Sequence, residues 1–368
     1  MDGESGAEAA GSFVVDFAHQ LSIHARVTVV AASVRSSTCS TDQLSVRRFA
    51  VPRIPLSVLN PLLPTHWPLI LTSLRSGAKA LEDLVREDRP NHVLALWVLP
   101  GGFWAGRVCR RYGIGFSVWA LGSDMWSLGK LPVVRQLLKS VCRRAERRYA
   151  DGFELAKDVE ALCGRPCEFL PSMRRLSPVI GVRHAQKGSY NLAFLGRWHT
   201  NKGVDLLLDA LELLVDEDWQ KISSIRLNGG GPLQEEVHAG AGRLIEQGRP
   251  ISVGGYLDKQ GAVELIEWAD YLLLPSRIES IPVIFSDSMQ LNTPIIAMPV
   301  GDLPRLHALY RFGFIAAQAN SVEFSIALKA ALDVDVATFD EGLKAARNDF
   351  SLEEIASRFL RDVAGGVR

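Results

Sequence analysis

Short apolar, β-branched runs alternate along this chain with longer stretches in which apolar positions recur every three or four residues. The short runs read as strands and the long stretches as helices. In the first half the strands are RVTVVAA (26–32), HVLALWV (92–98), GFSVWAL (115–121) and DGFEL (151–155), and SFVVDFAHQL (12–21) reads as a helix. In the second half they are YNLAFLG (190–196), SSIRLNG (223–229), RPISVGG (249–255), DYLLLPS (270–276) and TPIIAMP (293–299). Strand and helix in strict alternation predict parallel sheets covered by helices on both faces. Between the two sets, PSMRRLSPVIGVRHAQKGS (171–189) has two prolines, two glycines and no period. Residues 173–189 therefore serve as a linker between a domain at 1–172 and one at 190–350. A helix at 351–368 is expected to pack back on the first domain.

The 368-residue length suits two such domains better than one. With 47% apolar and 22% charged residues, the composition is that of a globular protein. The longest apolar candidate, VLALWVLPGGFWAG (93–106), is interrupted by Pro100-Gly101-Gly102 and falls short of a membrane span. The acidic start MDGESGAEAAG shows no secretory pattern, so a cytoplasmic protein is expected. Five cysteines describe no disulfide framework, and Cys163 and Cys167 lack a second pair to complete a zinc site. Charge is uneven: residues 1–172 hold 21 Lys+Arg against 16 Asp+Glu, a net of +5, and the remainder 20 against 25, a net of −5. The first half is the one suited to an anionic surface. Within it, PVVRQLLKSVCRRAERRYA (132–150) reads as a basic amphipathic helix carrying Arg135, Lys139, Arg143, Arg144, Arg147 and Arg148.

Three stretches carry candidate chemistry. In NLAFLGRWHTNKGVDLLLDA (191–210), Arg197 and Lys202 flank the turn between a strand and a helix starting near Gly203, where free backbone N–H groups and the helix dipole suit a phosphate. In LNGGGPLQEEV (227–237), a glycine-rich turn ends a strand, and Pro232 is expected in the first turn of the next helix. In LLLPSRIESIPVIFSDSMQLNTPIIAMPVGDLP (272–304), Glu279 lies in a loop, Pro282 in the first turn of a helix and Asp287 in its second turn. Two carboxylates eight positions apart across a helix start can hold two parts of one extended ligand, with a diphosphate at the dipole between them.

Those elements, in that order and spacing, resemble the large family of retaining GT-B glycosyltransferases that use nucleotide-sugar donors, whose signature is Glu, seven residues, Glu. The resemblance implies an α/β fold of two Rossmann-like doubly wound domains facing across a cleft. It implies a sugar transfer from a nucleotide-sugar to a glycan or lipid-linked acceptor, in polysaccharide or glycolipid biosynthesis. By motif, Arg197 and Lys202 would bind the donor diphosphate and Glu279 the transferred sugar, together with the backbone of Ser280, Ile281 and Pro282. Asp287 would hold the ribose hydroxyls. Gly230 would line the donor site, and Gly11, Gly122, Ser123 and Asp124 would belong to phosphate and acceptor loops. LWVLPGG (96–102) with LGSDMWSL (121–128) is similar to acceptor loops of bacterial members. No metal, no cofactor beyond the donor and no nucleic acid is expected. A peripheral position on the inner face of the membrane, through 132–150, is the membrane expectation.

The chain departs from the family pattern at several places. Leu96 and Leu121 stand where histidine is common, Ser172-Met173 replaces Asn-Gly, and Asp287 is one methylene short. The expected strand before the first glycine loop is missing ahead of residue 12, which points to a start internal to a longer gene product or to a non-catalytic GT-B protein binding a partner or nucleotide. Rival enzymes fit less well. A glycosidase pair has no use for Arg197 and Lys202. The Asp-x-Asp matches at 216–218 and 333–335 sit among polar helix ends, and no G-x-G-x-x-G follows an early strand.

Overall fold

The computed structural model describes residues 12–53, 59, 63–126, 128–177 and 189–365. Gly11 and the rest of the first eleven residues lie outside them, as do residues 178–188 of the linker. The chain divides into two compact units, one of residues 11–172 with 352–368 and one built on 173–351.

The first unit runs α1 (Ser12–Ser22), β1 (Val27–Ser33), β2 (Ser37–Ser40), β3 (Leu44–Ala50), α2 (Trp67–Asp88), β4 (His92–Leu96), α3 (Phe103–Tyr112), β5 (Gly115–Ala120), α4 (Ser123–Trp126), α5 (Pro132–Arg144), β6 (Arg147–Ala150), α6 (Phe153–Cys163) and β7 (Glu168–Phe169). Strands β4-β5-β6-β7 form a parallel sheet, and β1-β3-β2 a separate one in which β2 pairs antiparallel. The polar, exposed β2 and the charged β3 carry no apolar run, so periodicity did not find them. Between the faces lies a core of Val118, Leu138, Val141, Leu155 and Val159, all without solvent exposure. Trp119 is fully buried, donates its indole N–H to the Leu170 carbonyl at 2.9 Å, and meets Phe13 and Phe17 edge-to-face. Its replacement by alanine would cost about 3–5 kcal/mol.

Two expectations are corrected here. The basic helix ends at Arg144, and residues 147–150 are a strand. Arg148 turns its guanidinium back to the Cys142 and Ala145 carbonyls at 3.3 and 2.6 Å, satisfying the orphan acceptors at the end of α5. Arg147 pairs with Glu168. The segment Asp151–Leu155 is no strand: Gly152 caps α6, which starts at Phe153.

The second unit runs β8 (Tyr190–Arg197), α7 (Val204–Glu212), α8 (Asp216–Trp219), β9 (Ile222–Gly230), α9 (Gln234–Glu246), β10 (Ile251–Gly254), α10 (Lys259–Trp268), β11 (Tyr271–Leu274), α11 (Val283–Gln290), β12 (Ile295–Ala297), α12 (Leu303–Tyr310), β13 (Gly313–Ile315), α13 (Ser321–Ala331) and α14 (Asp340–Asp349). Its six strands are all parallel in the order β10-β9-β8-β11-β12-β13. Counted from β8 that order is 3-2-1-4-5-6, the doubly wound arrangement, whose switch point lies between β8 and β11. β11 is buried at every residue, as a central parallel strand must be. Pro232 precedes α9, which is capped by Leu233 and begins at Gln234, so this proline lies in the glycine turn and not in the first turn of the helix.

The last helix, α15 (Leu352–Gly365), belongs with the first unit. Phe359 packs edge-on to Phe17 and Tyr149, the Tyr149 hydroxyl donates to Asp362 at 3.0 Å, and Arg358 reaches the Phe169 carbonyl.

Candidate functional site

In a doubly wound sheet, ligands bind beyond the carboxyl ends of the strands at the switch point, where the two adjacent loops diverge. Here those loops follow β8 and β11. After β8, residues Thr200–Lys202 form a single tight turn, with the His199 imidazole accepting the Asn201 N–H at 3.1 Å. Gly203 then begins α7 at φ +69°, and a Cβ there would overlap the Pro275 carbonyl oxygen, so only glycine lets the two loops close up.

Arg277 stitches the loops together. Its backbone N–H donates to the Asn201 carbonyl at 2.8 Å, and its guanidinium to the Thr200 carbonyl at 2.7 Å and to both oxygens of Asp205 at 2.8 and 2.6 Å. The Asp205 carboxyl sits below its ordinary range: burial pushes it up, but the hydrogen bond and charge of Arg277 outweigh that. Held this way, Lys202 donates to Glu279 Oε1 at 2.5 Å, and the Ser276 hydroxyl donates to the same oxygen at 2.9 Å. Glu279 is largely covered, with 11% of its side chain exposed against 36% for Lys202. Arg197, at the end of β8, is exposed and among the described residues has no carboxylate within ion-pair distance.

The loop 279–282 is supported from beneath. Gly301, at φ +55°, lies under the Glu279 and Ser280 carbonyls, where a Cβ would overlap both oxygens, and the Asp302 N–H donates to the Ser280 carbonyl at 3.2 Å. Pro282 is the residue capping α11. Among the described residues the backbone N–H groups of Ser280 and Ile281 donate to no backbone carbonyl, and the buried Ser280 hydroxyl has no partner. Together with the α11 N-terminus they present donors to an anion or a hydroxylated ligand. Gly230, at the end of β9, accepts from the Tyr256 hydroxyl at 2.6 Å and the Trp198 N–H at 2.8 Å. Asp287 lies on α11 with a side chain of zero exposure, and both its oxygens are engaged by Arg174.

In the first unit, Gly122 and Asp124 follow β5, and Asp124 is buried. Its carboxylate accepts the Val98 N–H at 2.6 Å, the Met125 N–H at 3.2 Å and the Leu121 N–H at 3.4 Å, pinning the 97–102 loop to the start of α4. Burial raises its pKa to about 6 against the lowering effect of those hydrogen bonds. Gly11 and the Ser123 side chain lie outside the described residues.

The structure therefore brings Lys202 and Glu279 into contact, places Arg197 and the 280–282 loop at the same switch point, and sets Gly122 and Asp124 together in the other unit. Arg277, Asp205, Ser276, Gly301 and Arg174 were not found from sequence. Arg277 and Ser276 stood inside the quoted motif, but nothing in a one-dimensional pattern pairs Arg277 with Asp205, seventy-two positions away. Among the described residues no group of three or more His, Cys, Asp or Glu could hold a metal ion, and no helix is long and apolar enough to cross a membrane.

Comparison with known proteins bears on the fold and on the second unit's sequence. Residues 189–333 match the family described as glycosyl transferases group 1. D-inositol 3-phosphate glycosyltransferase of Pseudarthrobacter chlorophenolicus is 27% identical over 162 residues, 43% of this chain and 38% of that protein. The matched region thus spans well under half the length of that relative. Sucrose-phosphate synthase from Thermosynechococcus elongatus superposes with a TM-score of 0.74 at 15% identity, covering 96% of this chain and 92% of that one. Anabaena HepE, in complex with UDP and glucose, gives 0.68 at 13% identity over 98% and 96%. The fold is GT-B across both units.

Proposed function

We propose that this protein is a retaining, metal-independent glycosyltransferase that moves a sugar from a nucleotide-sugar to a glycan or lipid-linked acceptor in polysaccharide or glycolipid biosynthesis. The observation that carries the reading is the contact of Lys202 with Glu279 at the switch point of a 3-2-1-4-5-6 sheet, between the end of β8, which carries Arg197, and the loop that leads into α11. Breaking a sugar–phosphate bond leaves a diphosphate and an oxocarbenium-like centre. Arg197 and Lys202 supply fixed positive charge where the diphosphate gains negative charge, which lowers the barrier because the charges need no reorganisation. Glu279, with the N–H groups of Ser280 and Ile281, holds the hydroxyls of the transferred sugar. The presence of UDP and glucose in the HepE structure supports a uridine diphosphate donor. Gly122 and the loops joined by Asp124 shape the acceptor side.

The test is release of nucleoside diphosphate from a panel of UDP-, GDP- and ADP-sugars. Turnover of a UDP-sugar is expected, and no release from any of them would sink the reading.

The acceptor partner is proposed to be presented at an anionic membrane surface on its cytoplasmic face. Support comes from a groove of about 580 Å³ in the first unit, lined by Arg107, Arg110 and Arg111 of α3 and Arg144 of α5, with Glu82 paired to Arg111. Arg135 and Lys139 lie on α5, whereas Arg147 and Arg148 serve the fold. Sedimentation with phosphatidylglycerol vesicles, falling with salt, is expected; equal recovery with phosphatidylcholine vesicles removes the idea.

A further inference from the structure

In the first unit, arginines from two helices gather in one groove. Phe103, Arg107, Arg110 and Arg111 occupy positions i, i+4, i+7 and i+8 of α3 and so form one stripe along it. Arg144, the last residue of α5, joins them. Its Nε donates to the Ser140 carbonyl at 3.1 Å, and its guanidinium lies against Gly106, where a Cβ would stand 3.7 Å from Nη2. With Ala78 and Glu82 of α2 these residues line about 580 Å³. Glu82 is the carboxylate of that lining, and it already accepts from Arg111 at 2.6 Å and from the Tyr112 hydroxyl at 3.1 Å. Arg107 and Arg110 are exposed, and among the described residues neither has a hydrogen-bond or ion-pair partner.

The groove lies away from the chemistry. β5 begins three residues after α3 ends, and β6 three residues after α5 ends, so Arg110, Arg111 and Arg144 stand at the amino edge of the sheet. A doubly wound sheet binds its ligands beyond the opposite, carboxyl ends. The six residues of β5 put about 20 Å between the two. Basic residues in the last turn of a helix complement its dipole, and Arg110, Arg111 and Arg144 do so. That role asks nothing of Arg107 in mid-helix and calls for no shared concavity. Four guanidinium groups against one carboxylate leave a net charge of +3 in the groove, and an anion relieves their mutual repulsion.

We propose that this groove is a non-catalytic site for a negatively charged, phosphate-bearing group on a carbon skeleton, held by Arg107, Arg110 and Arg144. Guanidinium forks match phosphate oxygens two at a time. The volume exceeds what one phosphate fills and lies in the range of small-molecule sites, and Phe103 and Ala78 offer apolar surface to the carbon part. Such a group has two sources, the headgroup of an anionic lipid or a soluble phosphorylated metabolite. The inference specifies the chemistry recognised by the groove that supports the membrane reading, and it rests on that reading only for the lipid source.

The experiment is calorimetry on the full chain at low salt. Its probes are fructose 1,6-bisphosphate, and phosphatidylcholine vesicles with and without phosphatidic acid. The proteins are the wild type, the groove variant Arg107→Gln/Arg110→Gln, the variant Arg135→Gln/Lys139→Gln on α5 outside the groove lining, and Lys202→Ala in the donor site. Glutamine is a good helix former and both groove positions are exposed, so the groove variant is expected to keep its melting temperature. The wild type is expected to bind the bisphosphate or the vesicles containing phosphatidic acid. The groove variant is expected to weaken that binding about tenfold or more, since charged hydrogen bonds are lost, and the other two variants to change it by less than about twofold. Binding of the bisphosphate marks a soluble source, and binding of the phosphatidic acid vesicles alone marks a lipid headgroup. The proposal is overturned if the wild type binds neither probe or binds the vesicles equally without phosphatidic acid and not the bisphosphate. It is also overturned if Arg135→Gln/Lys139→Gln weakens binding as much as the groove variant, or if Lys202→Ala abolishes it. No nucleotide enters the measurement, so its outcome is separate from that of the donor-site reading. Bisphosphate binding without vesicle binding would end the membrane reading and keep the groove.

Discussion

Lys202 Nζ donates to Glu279 Oε1 across the switch point at 2.5 Å, and the Ser276 hydroxyl converges on the same oxygen. The pair joins the residue proposed to neutralise the leaving group to the residue proposed to hold the sugar. Glu279→Gln removes charge with little change in shape, so turnover is expected to fall about 100-fold or more while nucleoside diphosphate binding changes little. Lys202→Ala and Arg197→Ala are expected to raise the donor KM and lower kcat together, because the diphosphate is bound in the ground state and gains charge on departure. Steady-state kinetics with separate measurement of diphosphate binding checks this. A Glu279→Gln enzyme with normal turnover would show that the sugar-holding role is misassigned.

Arg277 and Asp205 form a fork-to-carboxylate pair whose side chains are about one third exposed. Solvent screening limits the stability of such a pair to about 1 kcal/mol or less. Its larger effect is expected on activity, since it sets where the Lys202 turn lies against Glu279. Arg277→Lys keeps the charge and loses the fork, and is expected to lower kcat about tenfold or more with little change in melting temperature. A variant whose activity loss is matched by its loss of stability would reduce Arg277 to a fold contact.

Asp124 predicts a specific pH dependence. Its folded pKa of about 6 lies above the ordinary carboxylate value of 3.8, so the folded state holds the proton more tightly than the unfolded one. The sign follows: Asp124 favours folding below pH 4, and that contribution is lost as pH rises from about 4 through 6, by about 3 kcal/mol for a shift of roughly two units. Other carboxylates act in the opposite sense, so the quantity to measure is the difference in unfolding free energy between wild type and Asp124→Asn from pH 4 to 7. The wild type is expected to lose ground to the variant as pH rises. A flat difference would mean that Asp124 is ionised without cost.

Chelation tests the proposed charge balance of the donor site. If Arg197, Lys202 and the α11 N-terminus meet the diphosphate charge, EDTA is expected to leave the rate unchanged within about twofold. Loss of turnover that magnesium or manganese restores would move part of that work to a cation.

The sequence by itself determined the elements whose signal is local. Buried parallel strands such as β8 and β11 are continuous apolar runs, and glycine turns with a basic residue beside them mark where strands end. The motif carried Arg197, Lys202 and Glu279 for the same reason: each sits within a few residues of a strand end. Local pattern failed where tertiary partners set the outcome. Arg147 and Arg148 continue a helical charge pattern, yet they lie in β6 because the strand pairs with β5 and Arg148 is spent on the end of α5. Strand order likewise has no local signature, and the 3-2-1-4-5-6 arrangement is what puts Lys202 beside Glu279, seventy-seven positions away. Asp287 shows the limit most clearly. Its place in the motif was legible, but only the structure reveals that Arg174 pairs with it, because a contact between positions 113 residues apart leaves no local trace in the sequence.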